Sequence, residues 1–179
     1  MKTLLEQYIF DVKELNDTEI MLCGGYLSDT KLIIKKEWIS WIINSIRNMT
    51  QSDFYNPDTF ITKESEDSHI SIMNTLKDRD FSILEIYVRW NDKNKRAPAF
   101  SMPYPAGNEN RIMAYIEPVL CELSKFLTEE EQKKLAKPWS CNMNDEEWAE
   151  YKSDSQKNGN TGDVRFIGEI NPKEYFGSR

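Results

Sequence analysis

Residues 81–90, FSILEIYVRW, alternate in a way that only an extended backbone explains: Leu84, Ile86, Val88 and Trp90 fall on one side, Ile83, Glu85, Tyr87 and Arg89 on the other. The first side is wholly apolar and the second is mixed, as in a strand that lies with one face on a core. This predicted strand commits the chain to a sheet. The stretch that follows, NDKNKRAPAF, begins with the turn residues Asn91 and Asp92, and Ala97 to Met102 returns as the partner strand. Pro98 has no amide hydrogen to give to a ladder, which assigns that partner to a sheet edge.

The hairpin connection sets Arg89, Lys93, Lys95 and Arg96 against Asp92, in a chain of formal net charge −7 and pI near 4.9. A phosphate backbone repels a net-negative surface unless charge is locally segregated, so neither free duplex nucleic acid nor an anionic membrane is an expected partner. Lys93, Lys95 and Arg96 form a possible secondary contact, with Tyr87, Trp90 and Phe100 near enough to supply stacking. The favoured reading is nevertheless a solvated, charged hairpin tip that keeps an edge strand from pairing with other sheets.

Elsewhere the chain reads as alternating helices and short strands. Residues 2–15 carry Leu4, Leu5, Tyr8, Ile9, Val12 and Leu15 at helical spacing and predict an amphipathic helix, with Glu6, Asp11 and Glu14 interrupting any signal-peptide pattern. Glu19 to Cys23 and Thr30 to Ile34 predict two strands around Gly24, Gly25 and Asp29. Lys36 to Met49 predicts the most buried helix, since Trp38, Trp41, Ile42, Ile46 and Met49 share one broad face. A short strand is expected at Thr59 to Thr62 and a helix from Asp67 to Lys77. The apolar spacing from Ile112 to Leu127 predicts a helix that either kinks at Pro118 or starts near Glu117. Thr128 with Glu131, and Asn144 with Glu147, stand at capping-box spacing.

With 179 residues, 39% of them hydrophobic, the chain is long enough to bury about two thirds of its unfolded surface. The expected architecture is a single α+β domain, a small mostly antiparallel sheet packed with four to six helices. It spans residues 1–154, with 155–179 a polar mobile segment followed by a C-terminal strand, Val164 to Ile170, of the same domain. No apolar run approaches the roughly 20 residues needed to cross a bilayer. Cys23, Cys121 and Cys141 are odd in number and form no CxxC pair, which suits reduced thiols in a cytoplasm. Richness in Lys, Asn, Ile and Asp fits an AT-rich bacterial or phage genome.

The single histidine, His69, constrains the chemistry most: any histidine-dependent triad must pass through it, and a multi-histidine metal centre is excluded. No metal or cofactor is expected. If there were a metal, Asp67 and His69 would be its first ligands, and a metal-dependent hydrolase or nuclease would draw on Asp58, Glu64, Asp67, His69 or Glu85. The lysine that such nucleases use two residues after the strand carboxylate is replaced by Tyr87. The cysteines have no neighbouring base that would depress their pKa. CGGYLSD has neither of the phosphate-binding glycine spacings.

Charge distribution is more informative. Asp145, Glu146, Glu147 and Glu150 surround Trp148, with Tyr151 beside them and no cation before Lys152. On a helix this presents aromatic anchors in a negative field, the combination that recognises a basic protein surface. The expectation is therefore a small acidic cytoplasmic binding protein rather than an enzyme. It would be a stoichiometric inhibitor, of the immunity, antitoxin or phage anti-defence type, that occludes the basic surface of a nucleic-acid enzyme or ribonucleoprotein.

Overall fold

The computed structural model describes residues 8–26, 29–76, 81–105 and 112–137, together with Glu146. Two antiparallel meanders make up the body. The first joins β1 (Tyr8–Glu14), β2 (Glu19–Tyr26) and β3 (Thr30–Lys35); the second joins β4 (Phe60–Glu64), β5 (Ser68–Leu76), β6 (Phe81–Trp90) and β7 (Phe100–Pro105). The helices with described bounds are α1 (Ile39–Arg47), α2 (Gln51–Tyr55), α3 (Ile112–Ser124) and α4 (Glu129–Lys133). The expected small sheet under four to six helices is thus corrected: two sheets of three and four strands carry the fold, and the four helices are short.

Where the structure describes the two expected helices, at residues 8–14 of the first and 68–76 of the second, it shows strands, and the reason is the same for both; residues 2–7 and Lys77 lie outside the described residues. Residues 8–14 satisfy a helical spacing, but they also alternate, with Phe10 buried and Ile9, Asp11 and Lys13 exposed, and pairing with β2 from Tyr8↔Tyr26 to Glu14↔Ile20 selects the period of two. Residues 68–76 likewise bury Ile70, Ile72 and Asn74 at every second position, with Ser71 also buried, between the partners β4 and β6. A sheet edge waiting on each side outweighs local helix preference, which is worth only fractions of a kcal/mol per residue.

The remaining elements follow their sequence signals. β2, β3 and β6 lie where expected, and β7 starts three residues later than Ala97, leaving Pro98 in the connection; its own prolines, Pro103 and Pro105, sit on a strand paired with β6 alone among the described residues. A 3₁₀ turn, Lys36–Trp38, leads into α1, whose Ile39, Ile42, Ile43 and Ile46 are fully buried, a contribution of about 1.5–3 kcal/mol each. β2 packs across β7, and β3 across β6 and β7, so both meanders share one core that includes Trp38, Trp90 and Phe100. α3 closes the core against β7, β1 and α1. It continues unbroken past Pro118 and is buried from Tyr115 to Cys121, as an apolar helix covered on all sides must be.

Inside this core Arg47 of α1 and Glu117 of α3 form a doubly hydrogen-bonded ion pair with both side chains fully buried. Arg47 also donates to the Ala136 carbonyl at 3.1 Å, and Asn44 accepts from the Ala136 amide at 2.8 Å. The pair therefore ties α1, α3 and the segment after α4 together, each charge compensating the other in a dry environment. α4 starts at the expected capping box of Thr128 and Glu131; a second box, Thr50 with Asp53, opens α2 in a stretch where only turn residues were evident in the sequence. No described helix is long and apolar enough to cross a membrane.

Candidate functional site

The hairpin between β6 and β7 is held by its own side chains. Asp92 accepts from the Asn94 amide at 2.9 Å and starts a 3₁₀ turn at Lys93–Lys95, and Arg96 Nε donates to the Trp90 carbonyl at 3.0 Å. Lys95 turns back over the Trp90 ring, 4.5 Å from its centroid, and reaches Glu19 of β2 at 2.5 Å. Lys93 is exposed at the tip. The flanking aromatics point elsewhere: Trp90 and Phe100 are buried in the core and Tyr87 is half-buried.

A second lysine faces the same tryptophan from the other sheet. Lys35, the last residue of β3, places Nζ 5.1 Å from the Trp38 ring and 5.6 Å from the Trp90 ring, while the two indoles tilt together at 5.7 Å. Cations over indole faces gain from the ring quadrupole, the more so where water is partly excluded. Trp90 in turn donates from Nε1 to the Ile33 carbonyl at 3.2 Å, so its buried polar atom is satisfied. Lys35 bonds Asp67 at 2.6 Å and Ser65 Oγ at 3.1 Å. The Lys35 ammonium beside Asp67, with the Ser68 and Ser65 hydroxyls, pulls the Asp67 carboxyl down to about 2. The hydrogen bond from Lys95 lowers Glu19 in the same sense, and Glu19 raises Lys95.

Beside this cluster a cleft of about 420 Å³ is lined by Asp17, Thr18, Glu19, Lys35, Lys36, Glu37 and Asp67. Its cations are matched within the molecule: Lys35 by Asp67, and Lys36 by Glu14 at 3.0 Å. Lys95, just outside, is matched by Glu19. Asp17 and Glu37 stand exposed at the rim, so the surplus charge of the cleft is negative. The tight Asn16–Glu19 turn sets that rim: Asn16 Oδ1 accepts from the Thr18 and Glu19 amides at 2.9 Å each.

The residues singled out as metal ligands lie apart. Asp67 is in the β4–β5 connection and is bonded to Lys35; His69 is on β5, opposite Glu64 on one side and Arg89 on the other. Asp58 lies in the turn before β4, and Glu85 of β6 faces Met73 and Ser101. Among the described residues no three His, Cys, Asp or Glu side chains gather closely enough to hold a metal ion. Burial pushes the Cys23 thiol up, and Cys121 donates to Glu117 at 3.6 Å.

Of the acid-aromatic segment only Glu146 is described, and it is helical and exposed. Asp145, Glu147, Trp148, Glu150 and Tyr151 lie outside the described residues, as do Asn144, Cys141, residues 155–163 and the expected strand at Val164 to Ile170. The cleft itself was not evident in the sequence, because Lys35 and Asp67, or Glu19 and Lys95, are brought together only by the packing of one sheet on the other. A signal was present in KKEW, where two lysines precede a tryptophan at a strand end. Comparison with protein-family models, with curated proteins and with solved structures finds no significant match.

Proposed function

We propose that the chain is an acidic binding protein that acts stoichiometrically, occluding a basic surface of a nucleic-acid enzyme in the manner of an immunity protein, an antitoxin or a phage anti-defence inhibitor. The observation that supports this reading most is the charge arrangement of the cleft: its lysines are engaged by carboxylates of the same molecule, and Asp17 and Glu37 remain exposed beside them. A net charge of −7 extends the same field over the whole molecule. Such a field accelerates encounter with a cationic partner and rejects phosphate backbones. The exposed Glu146 marks a second acidic region, the segment Asp145 to Tyr151, with Trp148 as its anchor.

Charge reversal of the rim tests the reading. When the tagged full chain captures its partner from a cell lysate, Asp17→Lys with Glu37→Lys is expected to weaken capture, as is alanine at Glu146, Glu147 and Trp148, with melting temperatures nearly unchanged in both. Capture that is indifferent to both sets of substitutions overturns it.

A further inference from the structure

β1 is the outer strand of its sheet, and among the described residues no strand pairs with its second edge. Its backbone polarity is fixed by the hairpin: the Leu15 amide donates to the Glu19 carbonyl at 3.0 Å, so odd-numbered residues of the strand turn their N–H and C=O toward β2. Val12, between them, turns its own pair to the other edge. The odd-numbered side chains form the solvent face, and it is not the usual polar one. Ile9 is 65% exposed and Leu15 42%, two of the large hydrophobic residues that the described surface leaves uncovered, and Asp11 and Lys13 lie between them. Ile9 is opposite Gly25, whose missing side chain leaves it bare on the β2 side.

We propose that this edge pairs with the same edge of a second copy of the chain, antiparallel, with the two-fold axis at Val12. Antiparallel pairing about Val12 sets Ile9 opposite Leu15 of the other copy and Asp11 opposite Lys13, and the symmetry repeats each pair. Four cross-strand pairs result, two apolar and two of opposite charge, all on one face. A shift of register by two residues in either direction sets Lys13 or Asp11 against itself and loses this match, so charge selects the register as well as the partner. Asp11 and Lys13 already lie 3.6 Å apart within the strand, and both are well exposed, so they can exchange partners at little cost. The dimer joins the two three-stranded sheets into a continuous six-stranded one, an isologous contact of the kind that closes on itself and protects an edge otherwise open to indiscriminate pairing. The acidic cleft lies at the end of this strand, where the Asn16–Glu19 turn forms its rim and Glu14 engages Lys36, but Asp11 and Lys13 are not among its lining residues, so the charge swaps below test the pairing and not the cleft.

Sedimentation of the full chain over a concentration series tests it through charge swaps. Wild type is expected to show a monomer–dimer equilibrium. Asp11→Lys and Lys13→Asp, each of which creates like-charge pairs twice over, are expected to weaken association by more than about tenfold. The double variant Asp11→Lys/Lys13→Asp restores both pairs and the dimer, and so does an equimolar mixture of the two single variants. A chain that stays monomeric at every concentration overturns the proposal, and that result is also the one expected if another part of the same chain covers β1. Association that ignores both single reversals overturns it too, by placing the contact elsewhere. Circular dichroism of each variant separates loss of pairing from loss of fold.

Discussion

Lys35 shows how much one side chain can organise. It stacks near two buried indoles, bonds Ser65 and fixes Asp67, and so fastens the end of the first sheet to the β4–β5 connection of the second. The pH dependence of this fastening follows from the carboxyl. Asp67 titrates at about 2 in the folded protein against 3.8 ordinarily, so its contribution is complete above about pH 4 and is lost as pH falls toward 2. Asp67→Asn is therefore expected to lower the melting temperature at neutral pH and to flatten its fall between pH 4 and 2, the two curves meeting at the acid end. Because the side chain is largely exposed, the difference is at most about 1 kcal/mol. Parallel curves displaced by a constant amount would show that Asp67 acts through something other than its charge. Little of this was legible in the sequence: the lysine and the tryptophan of KKEW are visible there, but a partner 32 positions away is not.

At the scale of elements, the sequence is most legible where a single period is present and least where two coexist. β6 alternates without ambiguity and α1 has a broad helical face, and both form as read. In β1 and β5 the apolar residues satisfy a helical spacing and a strand alternation together, and the choice is made by neighbouring strands that local reasoning does not contain. β1 depends on an unusual feature of its neighbour. Gly24 of β2 has φ of +92°, and a β-carbon there would lie 2.2 Å from the Ile9 carbonyl oxygen. Gly24→Ala is thus strained in its backbone and obstructed by a group that the ladder holds in place, at a combined cost of at least about 2–3 kcal/mol. The expected result is loss of amide-exchange protection across residues 8–14 with β6 still protected; unchanged protection in β1 would mean that the strand can move aside. The sequence marked Gly24 as a turn residue, and the structure places it inside the strand, where glycine permits close approach rather than a bend.

For the molecule as a whole, two small sheets share one core, one sheet has an edge that matches itself, and the cleft beside the Trp38–Trp90 pair has a negative surplus. The acidic character was legible from composition, whereas the location of the cleft required the fold. The cationic hairpin tip illustrates the difference. In sequence Lys95 and Arg96 read as a solvated tip or a secondary contact; in the structure Lys95 reaches Glu19 and Arg96 holds the Trp90 carbonyl, and both contribute to the hairpin's shape. The proposed mode of action is inhibition by stoichiometric occlusion through charge. Its most direct test is a titration of the captured partner's nucleic-acid activity with purified full-length chain, at low and high salt and after nuclease treatment. Activity is expected to fall linearly to a plateau at one equivalent and to return as salt is raised. Inactivation by a small fraction of an equivalent, which requires turnover, or capture of nucleic acid alone, lost on nuclease treatment, would contradict it.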